Sequence, residues 1–285
     1  MLDKTYLIRG LDALCRAHET SYFADGHRGA AIISAYYLCH ESKVERGVAD
    51  ILAAMIDEHW SHTDLCAPFP TEPSQPELLK TVRATFLANI AGLRQVGHNV
   101  IFPSLALKVF RELPETVTPA RVAGLCKLIE AFTIVDDLAV TEDDDIPYLG
   151  SPQEVAELIL AELLQVMTAF IDRGQGWSGH LLTYGRALLD LREAGHDDLA
   201  EAAEPAFRIY LKRIRMGPDK DGKAFTEHPD IPLRPHQRAY WERRQAGSPA
   251  LGHLFKYPYG FYGLMDLAQD PALKEQCMRD TFRVF

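Results

Sequence analysis

The sequence predicts an all-α protein of about twelve helices, arranged as a repeat-like toroid, solenoid or bundle around a central cavity. Apolar residues recur at three- and four-residue intervals along most of the chain. No run of alternating β-branched residues is bounded by hairpin turns. Gly–His dipeptides also return at near-regular intervals, which is typical of a repeated helical unit.

Several helices can be placed from their apolar pattern and their first residues. Helical spacing runs from residue 76 to 93 and from 152 to 171. Ser151 reads as an N-cap followed by proline at the first helical position, and Thr118 precedes Pro119 in the same way. Further amphipathic helices are predicted over residues 44–56, 120–132, 199–214 and 273–282.

Composition excludes several classes of protein. The chain has 285 residues, a formal charge of −10 and 47% apolar residues, so it is a globular protein without an electrostatic footprint for nucleic acid. No stretch approaches the length of a membrane helix, and the first residues lack a signal peptide's pattern. The five scattered cysteines argue against a disulfide framework and favour a reducing cytoplasm.

The most informative pattern is a recurring Gly–His dipeptide. With 19 glycines and 11 histidines, chance predicts about 0.7 such pairs, and the chain has five. The pair at residues 195–196 lacks the apolar continuation of the others and is set aside. The remaining four pairs contain His27, His98, His180 and His253.

Alignment on these four histidines predicts a single all-α domain of four three-helix units. The units cover roughly residues 1–70, 71–140, 151–215 and 235–285. In each unit, a Gly–His corner is expected to follow an amphipathic helix and to open the next one. The proline-rich segment 216–235 is expected to be a loop or a lid.

The four histidines are the candidate catalytic and metal-binding residues. At the start of a helix, the positive end of the dipole favours neutral imidazole, which binds a metal or accepts a proton. If the units surround an axis, His27, His98, His180 and His253 converge on one cavity. Such a set suits zinc or another divalent transition metal, although nothing in the sequence selects among them.

Aromatic residues beside these histidines are the candidate substrate-binding groups. Phe102, Tyr184 and Tyr257 each lie four residues after a histidine, and Lys256 stands within the aromatic run that follows His253. Rings that carry a few polar groups would suit an aromatic substrate.

The same four segments resemble the questin oxidase-like family, in the same order and over most of the chain. The family's patterns are an N-H followed by a small and apolar run and A-L-x-x-L-G, then H-x-x-I-x-x-x-Y-A, H-x-V-T-x-x-x-A-L-R and H-V-I-K. The corresponding residues here are 22–38, 97–107, 180–188 and 253–256.

The resemblance implies an all-helical fold in which the four histidines occupy matched positions. Fungal members of that family are linked to secondary metabolism, in which they cleave the ring of anthraquinone-type polyketides by a Baeyer–Villiger-like oxygen insertion that uses NADPH. NADPH is therefore a candidate cofactor by resemblance.

We expect an oxidoreductase or oxygenase that acts on a small organic molecule in a histidine-lined pocket, with an aromatic molecule as the candidate substrate. A non-catalytic scaffold that binds a hydrophobic ligand is one alternative. A metal-dependent hydrolase or cyclase is another, and it requires carboxylates beside the histidines, with Asp25 and Asp190 as the candidates. Rossmann, P-loop, zincin and α/β-hydrolase motifs have no match in the sequence.

Overall fold

The computed structural model describes residues 1–134, 138–171, 173, 176–218, 231–249 and 251–285, and these residues form an all-α protein. Short 3₁₀ turns connect some of the α-helices. Within the described residues the α-helices are α1 Lys4–Arg16, α2 Tyr22–Glu41, α3 Val48–His59, α4 Leu79–Asn89, α5 His98–Glu112, α6 Pro119–Ala131, α7 Pro152–Val166, α8 Gly176–Glu193, α9 Asp197–Arg215, α10 Arg238–Arg244, α11 His253–Leu267 and α12 Pro271–Asp280.

The predicted fold class and number of helices are confirmed. The described residues contain no strand, only an isolated bridge between Arg94 and Ile134. Ser151 caps α7 in a capping box with Glu154, and α6 begins at Pro119, as their sequences indicate. The helix predicted from residue 76 begins instead as a 3₁₀ turn, Pro76–Leu78, before α4.

Four helices form the centre of the molecule. When the twelve described helices are taken three at a time along the chain, each central helix is the second of its three. They are α2, α5, α8 and α11, and each carries one of the four histidines. Every residue from His98 to Phe110 in α5 and from Ser178 to Leu191 in α8 is buried. A helix that is buried on all its faces must be surrounded by other helices, and the remaining helices supply that cover.

The four central helices form a closed ring. Helix α2 packs against α5, α5 against α8, α8 against α11, and α11 returns to α2. The contact that joins each neighbouring pair is the same in kind. One helix contributes the glycine that precedes its histidine. The next helix of the ring contributes the residue four positions after its own histidine, and this residue packs against that glycine.

Each of these glycines leaves room for one side chain of the next helix. A Cβ atom added to Gly26 or Gly179 would lie closer than 3.0 Å to the ring of Phe102 or Tyr257, respectively. The other two junctions are Gly97 with the ring of Tyr184, and Gly252 with the methyl group of Ala31. Any larger residue at these glycines would push the central helices apart.

The predicted helix-opening corner is right for two of the four pairs and wrong for the other two. Gly97 and Gly252 have φ of 86° and 73°, in the left-handed region, and they immediately precede α5 and α11. His27 and His180 lie about one turn inside α2 and α8. At those two positions the glycine serves close packing and does not end a helix.

An ion cluster, buried except at Glu41, joins the same four helices further along their length. Lys108 of α5 lies 3.0 Å from Asp190 of α8 and 2.7 Å from Glu41 of α2. Arg186 lies 2.8 Å from Asp190, and the Tyr259 hydroxyl of α11 donates to Asp190 at 2.7 Å. Each central helix thus contributes a group to the ion cluster.

Most of the segment predicted as a loop or lid, residues 219–230, lies outside the described residues. Its described end is anchored, because the Arg234 guanidinium donates to the Met278 carbonyl and the Trp241 indole donates to the Pro235 carbonyl at 2.6 Å. All five cysteines are buried free thiols. None of the described helices has the length and apolar character needed to cross a bilayer.

The glycine junctions predict a clear difference between two alanine substitutions in α8. Gly179→Ala brings a methyl group against the Tyr257 ring and should lower the free energy of unfolding by about 1–3 kcal/mol. Gly176→Ala is the matched control, since no atom lies within 4 Å of its added Cβ, and it should cost less than about 0.5 kcal/mol. Urea unfolding of both variants checks this, and equal losses would contradict the packing role.

Candidate functional site

The central ring brings the four predicted histidines together. Ring centroids are separated by 4.3 Å for His27 and His98, 4.5 Å for His98 and His180, 4.8 Å for His180 and His253, and 4.9 Å for His253 and His27. The diagonal pair His27 and His180 is 5.8 Å apart. The sequence prediction that these residues converge is therefore confirmed in the structure, and we call them the histidine cluster.

Backbone carbonyls fix the tautomer of three of these imidazoles. Nδ1 of His27 donates to the Phe23 carbonyl at 2.6 Å, and Nδ1 of His98 and His180 donate to the carbonyls of Gln95 and Gly176. A carbonyl only accepts, so the proton of each neutral ring is on Nδ1. Nε2 is then a lone-pair acceptor on all three rings.

The Nε2 atoms of all four histidines are buried and have no hydrogen-bond partner within the part of the chain that the structure describes. One ligand nitrogen from each of His27, His98 and His180 can be chosen so that all lie within 4.8 Å of one another. His253 is in ring contact with both His27 and His180. Buried acceptors without partners are costly and uncommon, so their convergence points to a bound species.

Burial lowers the pKa of each of the four imidazoles well below the ordinary value. Charge repulsion from Lys256 and among the histidines themselves adds to this effect. Both causes favour neutral imidazole, the form that ligates metals and accepts protons.

Lys256 is the second unusual group of the site. Its side chain is completely buried, and none of the described residues forms a hydrogen bond with its Nζ. The Nζ atom lies 5.4 Å from the centroid of the Phe102 ring, and burial lowers the pKa of the amine well below its usual value. Lys256 also lines a cavity of about 10 Å³, whose walls include Tyr259 and Asp190 of the ion cluster.

A larger cavity reaches the histidine cluster from one side. Its volume is about 340 Å³, and His253 and Tyr257 form part of its wall. The Tyr257 ring stacks on His253 with centroids 4.9 Å apart, and its hydroxyl lies 3.2 Å from Nδ1 of His180. We call this space the His253 cavity, and its size is that of a small-molecule site.

The four predicted substrate-binding residues have different surroundings. Tyr257 lines the His253 cavity, whereas Phe102, Tyr184 and Lys256 do not. Phe102 packs on the rings of His27 and His98 at 5.4 and 4.9 Å. The Tyr184 hydroxyl donates to the Ala203 carbonyl at 3.4 Å, so this group is directed toward α9 and away from the cavity.

The carboxylates that a hydrolase or cyclase would need are engaged elsewhere. Asp25 accepts from the Ser21 backbone at 3.2 Å and pairs with Arg28. Asp190 belongs to the ion cluster, where burial opposes its ionisation but Arg186 and Lys108 outweigh burial and lower the pKa of the carboxyl.

Sequence reasoning missed the ion cluster and one residue of the cavity wall. Lys108 and Asp190 each lie ten residues after a histidine, in central helices that are buried over most of their length, and this shared spacing could have revealed them. No sequence signal distinguishes Arg244, which lines the His253 cavity, from its neighbours.

No family model matches this chain, and no curated protein or solved structure is detectably similar to it. The resemblance to the questin oxidase-like family stays a prediction. The fold and the site together define an all-α protein with a buried cluster of four histidines that is reached from a small-molecule cavity.

The depressed pKa values predict that the metal-free protein loses stability in mild acid. Because the pKa of each imidazole is lower in the folded protein than its ordinary 6.5, the unfolded chain binds more protons below that pH. The contribution of the histidines to the free energy of unfolding is fully present above pH 6.5. Below that pH it falls by about 1.4 kcal/mol per histidine for each pH unit.

Urea unfolding of chelator-treated protein at pH 7.5 and 5.5 measures this loss. His98→Gln should make the dependence shallower by about one proton. Equal stability at the two pH values would contradict the assigned protonation states.

The buried amine predicts that Lys256→Met stabilises the protein. Methionine has a similar length but no polar atom, and an unpartnered buried polar group costs about 1–3 kcal/mol. We expect a corresponding rise in the free energy of unfolding of metal-free protein, while Lys127→Met at an exposed position of α6 should change it little. A loss of stability in Lys256→Met would show that the amine has a stabilising partner.

Proposed function

We propose that the histidine cluster binds one divalent transition metal, and that this centre serves an oxidoreductase or oxygenase reaction on a small organic molecule in the His253 cavity. The observation that supports this proposal is the contact among four imidazole rings whose buried Nε2 atoms have no hydrogen-bond partner among the described residues, with one nitrogen from each of His27, His98 and His180 within 4.8 Å of the others. Imidazole nitrogen is a favoured ligand for zinc, copper, iron and nickel.

The surroundings of the cluster suit a metal centre. Donation from Nδ1 to backbone carbonyls orients three rings and increases the basicity of Nε2. His27, His98 and His180 would supply three ligands, and His253 lies between this group and the cavity. Three histidines with a position left for another group is the arrangement of many catalytic metal sites.

The residues of the chain have separate roles in this proposal. A metal at the cluster would supply Lewis-acid or redox chemistry to a molecule in the cavity. Tyr257 and His253 would contact that molecule, while Phe102 shields the cluster from water. In a monooxygenase reaction, one oxygen atom of O₂ enters the substrate and the other leaves as water, with two electrons from a reductant such as NADPH and two protons.

Metal binding is tested first and without a substrate. Chelator-treated protein titrated with Co(II) should bind one ion per chain and develop the visible absorption of a nitrogen-ligated centre. The double variant His98→Gln, His180→Gln should lose both the stoichiometric binding and the absorption.

His62→Gln is the control, because His62 lies in the turn after α3, is exposed to solvent and is outside the histidine cluster. It should bind Co(II) as the parent protein does. Unchanged binding in the double variant would refute a metal site at the cluster.

The reaction class is tested by oxygen uptake of the iron- or copper-loaded protein with a hydroxyanthraquinone and NADPH. We expect uptake that needs both compounds and that disappears in His180→Gln. Binding of metal without any oxygen uptake would separate a metal-binding protein from an oxygenase of this substrate class.

A further inference from the structure

Among the described residues, Arg244 is the one Lys or Arg in the wall of the His253 cavity, whose surface is mixed polar and apolar. Apart from His253 and Tyr257, its sides include Leu251, Leu254, Pro258, Val284 and Phe285, with Arg244 at the end of α10. A volume of about 340 Å³ is enough for a small molecule of up to three fused aromatic rings. Among its described lining residues, the cavity therefore combines apolar and aromatic side chains with one guanidinium group.

Arg244 forms no ion pair with any carboxylate among the described residues. Its Nε donates to the Tyr240 hydroxyl at 3.3 Å, and the side chain is half-buried. By contrast, Arg238 of the same helix is paired with Glu242 at 2.7 Å. The guanidinium of Arg244 thus keeps N–H donors available in the cavity wall.

A partly desolvated guanidinium recognises carboxylates better than any other side chain does. Its planar donors match the two oxygens of a carboxylate, and such charge-assisted pairs are about twice as strong as neutral hydrogen bonds. The apolar wall beside Arg244 lowers competition from water.

We propose that the His253 cavity binds a small aromatic carboxylate, whose carboxylate pairs with Arg244 while its ring lies against Tyr257 beside the histidine cluster. This inference rests on the proposed function only for the reaction that the bound carboxylate would undergo. Binding of the carboxylate itself requires no metal. It narrows the substrate class from a small organic molecule to an aromatic anion.

Binding of 1-naphthoate to the full-length, chelator-treated protein tests the proposal by isothermal titration calorimetry. We expect saturable binding, with Arg244→Gln at least about tenfold weaker than the parent protein. Arg243→Gln is the matched control: Arg243 is the preceding residue of α10, carries the same charge and does not line this cavity. It should bind naphthoate within about twofold of the parent.

The uncharged isostere 1-naphthamide distinguishes anion recognition from apolar binding. It should bind the parent protein at least about tenfold more weakly than naphthoate does, and Arg244→Gln should abolish most of that difference. Arg244→Lys, which keeps the charge but not the planar donors, should give intermediate affinity.

Three results would overturn the proposal: no binding of naphthoate, equal binding of naphthoate and naphthamide, or equal loss in the Arg243 and Arg244 variants. Failure of the metal site is recognised separately, because Co(II) titration reports on the histidine cluster and should be unchanged in Arg244→Gln. If the His98→Gln, His180→Gln variant still binds naphthoate, the anion site is independent of the metal site.

Discussion

The interlocking of glycine and ring between neighbouring central helices is the contact on which this architecture depends. In three junctions an aromatic ring enters the space that a glycine leaves open, and in the fourth the methyl group of Ala31 lies against Gly252. Because α11 returns to α2 by this contact, the four helices close into a ring. Close packing leaves no room for a Cβ atom at the glycines, so the spacing of the helices is fixed by a few atoms.

Closure of the ring also creates the site. A histidine follows each of these glycines, so contacts that bring the helices together bring four imidazoles into one buried volume. Backbone carbonyls accept hydrogen bonds from Nδ1 of three of them, and the Nε2 atoms have no hydrogen-bond partner among the described residues. The protein thereby accepts a cost in stability at its centre, which is characteristic of sites that bind something. The ion cluster formed by Glu41, Lys108, Arg186, Asp190 and Tyr259 joins the same helices at a second level.

Much of the fold and of the candidate site could be predicted from the sequence, because a repeated helical unit produces a periodic sequence pattern. The Gly–His pairs marked the central helices, and Pro119 and Ser151 marked the starts of two others. The glycines of the α2 and α8 pairs were misinterpreted, since a glycine that ends a helix and one that receives a neighbouring ring look the same in sequence. The position of Tyr184, four residues after His180, predicts a substrate-binding role. In the structure this spacing instead places the Tyr184 ring against Gly97.

Local periodicity and repetition are enough to predict the fold class, the approximate number of helices and the four histidines that belong together. The three-dimensional packing alone shows that nitrogens of His27, His98 and His180 converge, that Lys256 has no hydrogen-bond partner among the described residues, and that Arg244 and Tyr257 share a cavity with His253. Those properties depend on distances between residues far apart in the chain, which ring closure sets and which no local pattern contains.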